Sequence, residues 1–348
     1  MDTRVFIARC DEYEKAAEAV GRILEAFGGA ETILNGCKRL LVKPNLVMPR
    51  KPDDATTSHP AVVEAVCLAF IKAGADVTII DSTGGPHNKM VLKLLYGKPG
   101  MTQMAKKIGV KLSYDTSIKT VPIPNGRVVN ELELLTPVLD AQMVISIGKA
   151  KTHGFMSMSG CSKNLFGCVP GLGKPRMHRK LPNCEDFAGM LVDLCEFINP
   201  GFSILDGVWG MEGPGPTGGV PKRMNVIAGG ISSYAVDLAQ CHLMGLRRDI
   251  VYTIHEAASR GLAPEDPTQL TWLGDDPEPL RTNFKPALEH KTDAVPTIMD
   301  NCVGCGDCAR ICPQHCITIQ DKKAVLDGKN CIRCYCCHEF CPAKAISL

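Results

Sequence analysis

Eight cysteines near the end of this sequence fall in two runs of one spacing. Cys302, Cys305, Cys308 and Cys312 precede Pro313, and Cys331, Cys334, Cys337 and Cys341 precede Pro342. Each run reads C-x2-C-x2-C-x3-C-P, in which three thiolates hold one 4Fe–4S cluster and the fourth crosses to the other. The spacing therefore predicts one cluster on Cys302, Cys305, Cys308 and Cys341. A second falls to Cys331, Cys334, Cys337 and Cys312. Two C-x2-C pairs could hold zinc, but zinc requires neither the third cysteine of each run nor the Cys-Pro that lends a ligand to a neighbour. The chemistry implied is single-electron transfer.

The repetition extends beyond the ligands. Asn301-Cys302 matches Asn330-Cys331, and Ile317-Thr318-Ile319 matches Ile346-Ser347-Leu348, a short apolar strand after each run. Residues 299–348 thus resemble a bacterial two-cluster ferredoxin. Six Lys/Arg against five Asp/Glu in this tail give no one-sided field for electrostatic docking, so the tail is expected to serve its own chain. Cys316 aligns with Ala345 and reads as a small buried residue behind a cluster. Cys336 aligns with Asp307 and reads as a bystander.

The 348 residues leave a body large enough for a sizeable core. A net charge of +2 implies neither nucleic acid nor a membrane surface as partner. The opening MDTRVFIARCDEYEKAAEAV carries acids where a secretory leader needs basic residues and then an apolar run. Eighteen cysteines without such a leader point to reduced thiols and metal, and the expected location is cytoplasmic, in an anaerobic host.

Elements must position whatever the body does. Residues 11–27 read as an amphipathic helix stopped by Gly28-Gly29. Strand 39–43, helix 60–73 and strand 76–81 form a parallel crossover unit. Further strands are expected at 143–147, 202–206 and 226–228, with helices at 185–198 and 234–244. Alternating strands and helices predict an α/β fold, a mostly parallel sheet covered by helices on both faces. A small C-terminal α+β domain for the cysteine runs completes it. The division expected is a body over 1–298, ending in a proline- and charge-rich linker at about 264–298, then the tail from 299.

Polar residues gather where these strands end, the edge at which open parallel sheets bind ligands. Lys43 and Asn45 follow the first strand, Asp81 ends the second, and Asp206 ends the fourth, with Glu212 beyond it. Lys149, Lys151 and His153 alternate, so an extended backbone points them to one face, where they suit an anionic oxygen. Lys163 and Asn164 follow in a glycine-rich stretch. Lys151, His153, Asp206 and Asp81 are the candidate catalytic groups. Lys43, Asn45, Lys149, Lys163, Asn164 and Glu212 are candidate ligand holders, and His153 is the expected proton donor. For Asp81 and Asp206 an anchoring role stands beside the catalytic one. The basic run Lys174, Arg176, His178, Arg179 and Lys180 reads as an exposed loop, with attraction of an anion as the alternative. Cys161 and Cys168 are the body's best reactive thiols, against a plain buried role. No phosphate-binding P-loop, dinucleotide fingerprint or flavin signature appears, so no NAD, ATP or flavin is expected.

The segments LVKPNLV (41–47), TTSHPAVVEAV (56–66), DSTGG (81–85), SIGKAKTHGFMSMSGCSKNLFGCVPG (146–171), ILDGVWGMEGPGP (204–216) and AVDLA (235–239) together resemble domain-of-unknown-function family 362. Members are often joined to a two-cluster ferredoxin. The resemblance implies that Lys43, Asn45, Lys151, His153, Lys163, Asn164 and Asp206 belong to shared motifs; it supplies architecture and no reaction. The expected function is an iron–sulfur oxidoreductase passing electrons to or from a small anionic metabolite, with an external electron-carrying protein as a further partner. Two alternatives stand beside it: an electron-transfer module with no chemistry of its own, and an isomerase-type enzyme whose ferredoxin is structural or sensory.

Overall fold

The computed structural model describes residues 1–288 and 295–348; the part of the expected linker at 289–294 lies outside the described residues. Nine strands form the main sheet: β1 Arg4–Arg9, β2 Arg39–Pro44, β3 Asp76–Ile79, β4 Lys111–Leu112, β5 Met143–His153, β6 Ser157–Ser159, β7 Phe202–Glu212, β8 Val220–Gly230 and β9 Thr271–Gly274. Their order is β9-β1-β8-β7-β5-β2-β3-β4, with β6 paired to the end of β5. The block β7-β5-β2-β3-β4 is parallel throughout. Strand β8 runs antiparallel to both β7 and β1, so the residues expected as strand 226–228 belong to a longer, reversed strand. The α/β class holds.

Burial explains the strands. β2 reads Arg-Leu-Leu-Val-Lys-Pro with every position after the arginine buried, the continuous pattern of a strand covered on both faces. Alternate residues of β5 divide between two cores. Ile145 and Ile147 join the apolar core that packs helices Ala16–Ala26 and Pro60–Lys72, while Val144 joins the opposite core beneath helix Cys184–Ile198. Helix Pro60–Lys72 starts on a proline whose missing N–H is not needed there, and the His59 ring accepts from the Ala61 N–H as its cap.

Three expectations change. Residues 148–153 and 207–212, beyond the strand ends expected at 147 and 206, are strand: β5 and β7 continue in parallel and are also held by β6 and β8. The proline-rich stretch after 264 is no free linker. Its apolar residues override its prolines: β9 pairs with β1, and Leu280 and Phe284 are buried in the core. Strand β1 was not foreseen, because its four apolar residues are too short a run to separate from a loop. The tail reaches back to Thr297–Ile298, which pairs with Ile346–Ser347, and Ile317–Gln320 pairs with Lys323–Leu326. No helix among the described residues is long and apolar enough to cross a membrane.

Candidate functional site

The eight cysteines ring two hollows in the predicted partition. Cys302, Cys305, Cys308 and Cys341 line one; Cys312, Cys331, Cys334 and Cys337 line the other. Cys316, expected behind a cluster, lines the second hollow as well, its sulfur 3.4 Å from that of Cys312. Among the described residues no three His, Cys, Asp or Glu side chains meet closely enough for a single ion. Thiols set around a space, rather than at a point, fit a polynuclear cluster. Backbone amides also aim at the sulfurs: Ala324 N donates to Cys302 (3.4 Å), Arg333 N to Cys331 (3.4 Å) and Ala345 N to Cys341 (3.2 Å). At Cys302 the Ala324 and Gly304 amides outweigh burial and hold the thiol below its usual range. Gly304, at φ +63°, is required by space, since a Cβ there would sit 2.3 Å from the Lys322 carbonyl oxygen.

Beside the second hollow, at the strand ends, is a cavity of about 70 Å³ open to solvent at its mouth. Lys43, Asn45, Asp81, Lys163 and Asn164 of the predicted set line it. Lys43 is buried and paired with Asp81 at 2.8 Å; its ammonium also donates to the Pro44 carbonyl and to Asn164 Oδ1. Asp81 accepts from the Leu46 and Ser82 amides, both at 2.7 Å. It therefore anchors two loops as well as facing the cavity. Asn164 holds three strand-end groups through Nδ2.

The remaining predicted residues lie elsewhere. Lys149 and Asp206 form a fully buried pair at 2.9 Å. Asp206 accepts from the His59 amide and the Tyr13 hydroxyl, and Tyr13 stacks on His59 with ring centroids 3.5 Å apart. This network docks a helix start onto the sheet and exposes no reacting atom, so the anchoring role holds for Asp206. Lys151 is sealed behind the wall, donating to Asn45 Oδ1 and the Thr56 carbonyl, both at 2.7 Å. Burial, then repulsion from Lys163 and Lys149, drives its ammonium well below the usual lysine range. Glu212 pairs with Lys222 at 2.8 Å outside the cavity, because β7 continues as strand and carries it away.

His153 is buried as well. Its Nδ1 faces the Phe155 and Met156 amides as acceptor, so Nε2 carries the proton and lies 3.1 Å from Glu339 Oε1. Burial, aided by Lys163 and opposed by Glu339, pushes this imidazole down to about 4. A histidine held neutral and sealed is no proton donor to the cavity, which corrects its expected role. Cys161 and Cys168 are buried, and burial pushes the Cys168 thiol up to about 12; neither is a reactive thiol.

Several wall residues escaped the sequence reading. Helix Gly173–Lys180 turns the supposed exposed run inward at Lys174 and His178, leaving Arg176, Arg179 and Lys180 outside. Their i, i+4 spacing was the available signal. Lys174 donates to the Ser82 carbonyl (2.8 Å), the Ser82 hydroxyl (2.6 Å) and the Thr83 carbonyl (2.9 Å), and burial lowers its ammonium to about 7. His178 stacks on Phe187 at 4.2 Å, and burial takes it to about 3.

The tail supplies the rest of the wall through Cys336, Glu339 and Phe340. Cys336 is therefore no bystander. Burial opposes ionisation of Glu339, but the His153 Nε2 it faces at 3.1 Å and the Lys163 ammonium hold its carboxyl below the usual range. The tail is fastened here by Thr217 to the Glu339 carbonyl (2.7 Å) and by His338 Nε2 to the Pro214 carbonyl (2.8 Å). Comparing the repeats exposes a trace of this: Glu339 stands where the first repeat has the exposed Arg310.

The chain resembles the thylakoid-associated protein sll1697 of Synechocystis, with 29% identity over 275 residues, 75% of this chain and 80% of that protein. Among solved structures, the lactate racemase apoprotein of Thermoanaerobacterium thermosaccharolyticum aligns at a TM-score of 0.43 and 12% identity. The alignment covers 69% of this chain and 56% of that one; a likeness so distant carries no argument. The model of the family described as Domain of unknown function (DUF362) matches residues 40–242, and the chain belongs to that family.

Proposed function

We propose that this protein is an iron–sulfur oxidoreductase whose body binds a small anion in the strand-end cavity and whose tail is a two-cluster ferredoxin domain. One observation carries the reading. The single helical turn Cys336–Glu339 sends Cys337 into the second hollow and Cys336 and Glu339 into the cavity wall. The hollow and the cavity share that wall. Bound there, the clusters would supply or accept single electrons.

The chain's own residues would do the rest. Lys163 and Lys174 face the cavity with Lys43 behind its ion pair, against Asp81 and Glu339. With Lys43 and Asp81 neutralising each other, Lys163 and Lys174, both lowered by burial, oppose the Glu339 carboxylate, and where both carry their protons the surplus positive charge favours an anion. Phe166 and Phe340 make part of the wall apolar, which limits water and strengthens those charges. Reduction of an organic anion takes up protons, and Lys174, lowered to about 7, can hold one at neutral pH and release it. Cys305 is exposed, so the first hollow faces solvent, where an external electron-carrying protein would have access.

The test is anaerobic reconstitution followed by iron and sulfide analysis and electron paramagnetic resonance of the reduced protein. About eight iron and eight sulfide are expected. Small carboxylates should perturb the signal in the wild type and fail to do so in Lys163→Met. Stoichiometric zinc, or no iron–sulfur chromophore, would sink the proposal.

A further inference from the structure

The segment between β2 and helix Pro60–Lys72 links the cavity to the other hollow. Asn45 and Val47, at its root, line the cavity. Three residues on, Arg50 reaches over the tail. Its guanidinium donates to the Cys341 carbonyl at 3.2 Å and to the Pro342 carbonyl at 3.4 Å. Cys341 is the ligand that crosses from the second run to the first hollow, so the body touches the crossover itself. Arg50 is half-buried, and its Nε has no hydrogen-bond partner. A guanidinium placed there with one donor unused is not explained by docking alone.

The backbone pins this arm. Val47 takes φ +53° and Ala55 takes φ +50°. For a β-branched residue such as Val47 this is a strained conformation that persists only where the surroundings hold it. The arm is fixed at its cavity end by Lys151, which grips Asn45 and Thr56 at 2.7 Å each. This gives Lys151 a structural task consistent with its sealed position. The strain and the grip together set where Arg50 can reach.

We infer that Arg50 is a positioning residue that places a fixed positive charge beside the Cys302/Cys305/Cys308/Cys341 hollow and raises the reduction potential of the cluster held there above that of its neighbour. The inference rests on the iron–sulfur reading. A reduced cluster carries one more negative charge than an oxidised one, so a nearby cation that cannot lose its proton stabilises the reduced form. Close to Arg50 the effect should be large. At the second hollow, whose four thiols come from other positions, it should be small.

The experiment is a potentiometric titration of the reconstituted full chain, followed by electron paramagnetic resonance, on wild type, Arg50→Lys and Arg50→Gln. Iron analysis comes first: about eight iron per chain in the wild type keeps a failure of the iron–sulfur reading separate from a failure of this one. In Arg50→Gln one of the two reduction steps should move to lower potential while the other stays. Arg50→Lys, which keeps the charge, should restore most of the shift. Neither step moving, or both moving equally, overturns the inference. Should Arg50→Gln fail to hold eight iron, Arg50→Met, which keeps the apolar stem without the charge, is read by the same two outcomes.

Discussion

The hollows and the cavity are built on opposite principles. Each hollow takes three thiols from one run of seven residues and a fourth from its twin, Cys341 lying 33 residues after Cys308 and Cys312 lying 19 before Cys331. The cavity draws Lys43, Asp81, Lys163, Lys174 and Glu339 from five separate stretches spread over some three hundred residues. One is written in local spacing; the other exists only once the sheet, the helix at 173–180 and the tail have come together. Removing a part should therefore act differently in each. A hollow loses a ligand and with it a cluster, while the cavity loses a partner and must rearrange.

The largest effect is expected at the crossover. Cys312→Ser should leave the cluster whose ligands come from its own repeat and lose the one shared with Cys331, Cys334 and Cys337. Iron content should fall from about eight toward four per chain. Loss from the Cys302 hollow instead would reverse the partition seen in the two linings.

The same contrast explains what could be read beforehand. The two rings of cysteines are identified by spacing, which a sequence displays directly, and strands such as β2 announce themselves by apolar runs. Lys43, Asn45, Asp81, Lys163 and Asn164 were legible because topology puts strand ends on one edge. Lys151 and His153 were placed correctly on that edge but not in depth. Whether β5 stopped at 147 or continued to 153 decided it, and the continuation is fixed by pairing with β6, far from any local signal. Lys174 and His178 were hidden by the charges around them, since a basic helix shows one inward face only after its axis is set. Glu339 was hidden by its company: among the ring cysteines its charge looked like tail surface.

Next in size is the cavity's ion pair. Lys43 and Asp81 are buried and 2.8 Å apart, and removing one partner leaves a desolvated charge. Lys43→Met should lower the stability of the folded chain by about 3–5 kcal/mol, measured by chemical denaturation. The double variant with Asp81→Asn should recover part of the loss. If the single change costs under about 1 kcal/mol, the pair is wetter than its burial indicates and the wall is less fixed than the hollows.

Acidity separates the regions again. Burial lowers Lys174 to about 7, below its value in an unfolded chain. The folded state then binds fewer protons than the unfolded one between about pH 7 and the usual lysine range, so this group makes stability rise with pH across that window. Anion binding runs the other way. It needs the ammonium form and should weaken up to about tenfold per pH unit above 7, as read by calorimetry with a small carboxylate. Lys174→Met should bind weakly with a flat profile. A wild-type affinity unchanged between pH 6 and 9 would remove Lys174 from the anion site.

The smallest effect is expected at Glu212, which marks the boundary of the cavity. It was a natural member of the site by its place beyond the strand expected at 202–206, yet it pairs with Lys222 at 2.8 Å and accepts from the Lys285 amide at 2.9 Å. Its carboxyl sits below the usual range because those bonds outweigh its burial. Partly exposed pairs of this kind contribute about 0–1 kcal/mol. Glu212→Gln should therefore cost at most about 1 kcal/mol of stability and leave carboxylate affinity and iron content at wild-type values. A several-fold loss of affinity in this variant would mean that the site extends along β7 beyond the wall formed by the tail. The cavity would then be the inner end of a longer cleft, and the contrast between compact hollows and a single dispersed pocket would have to be redrawn.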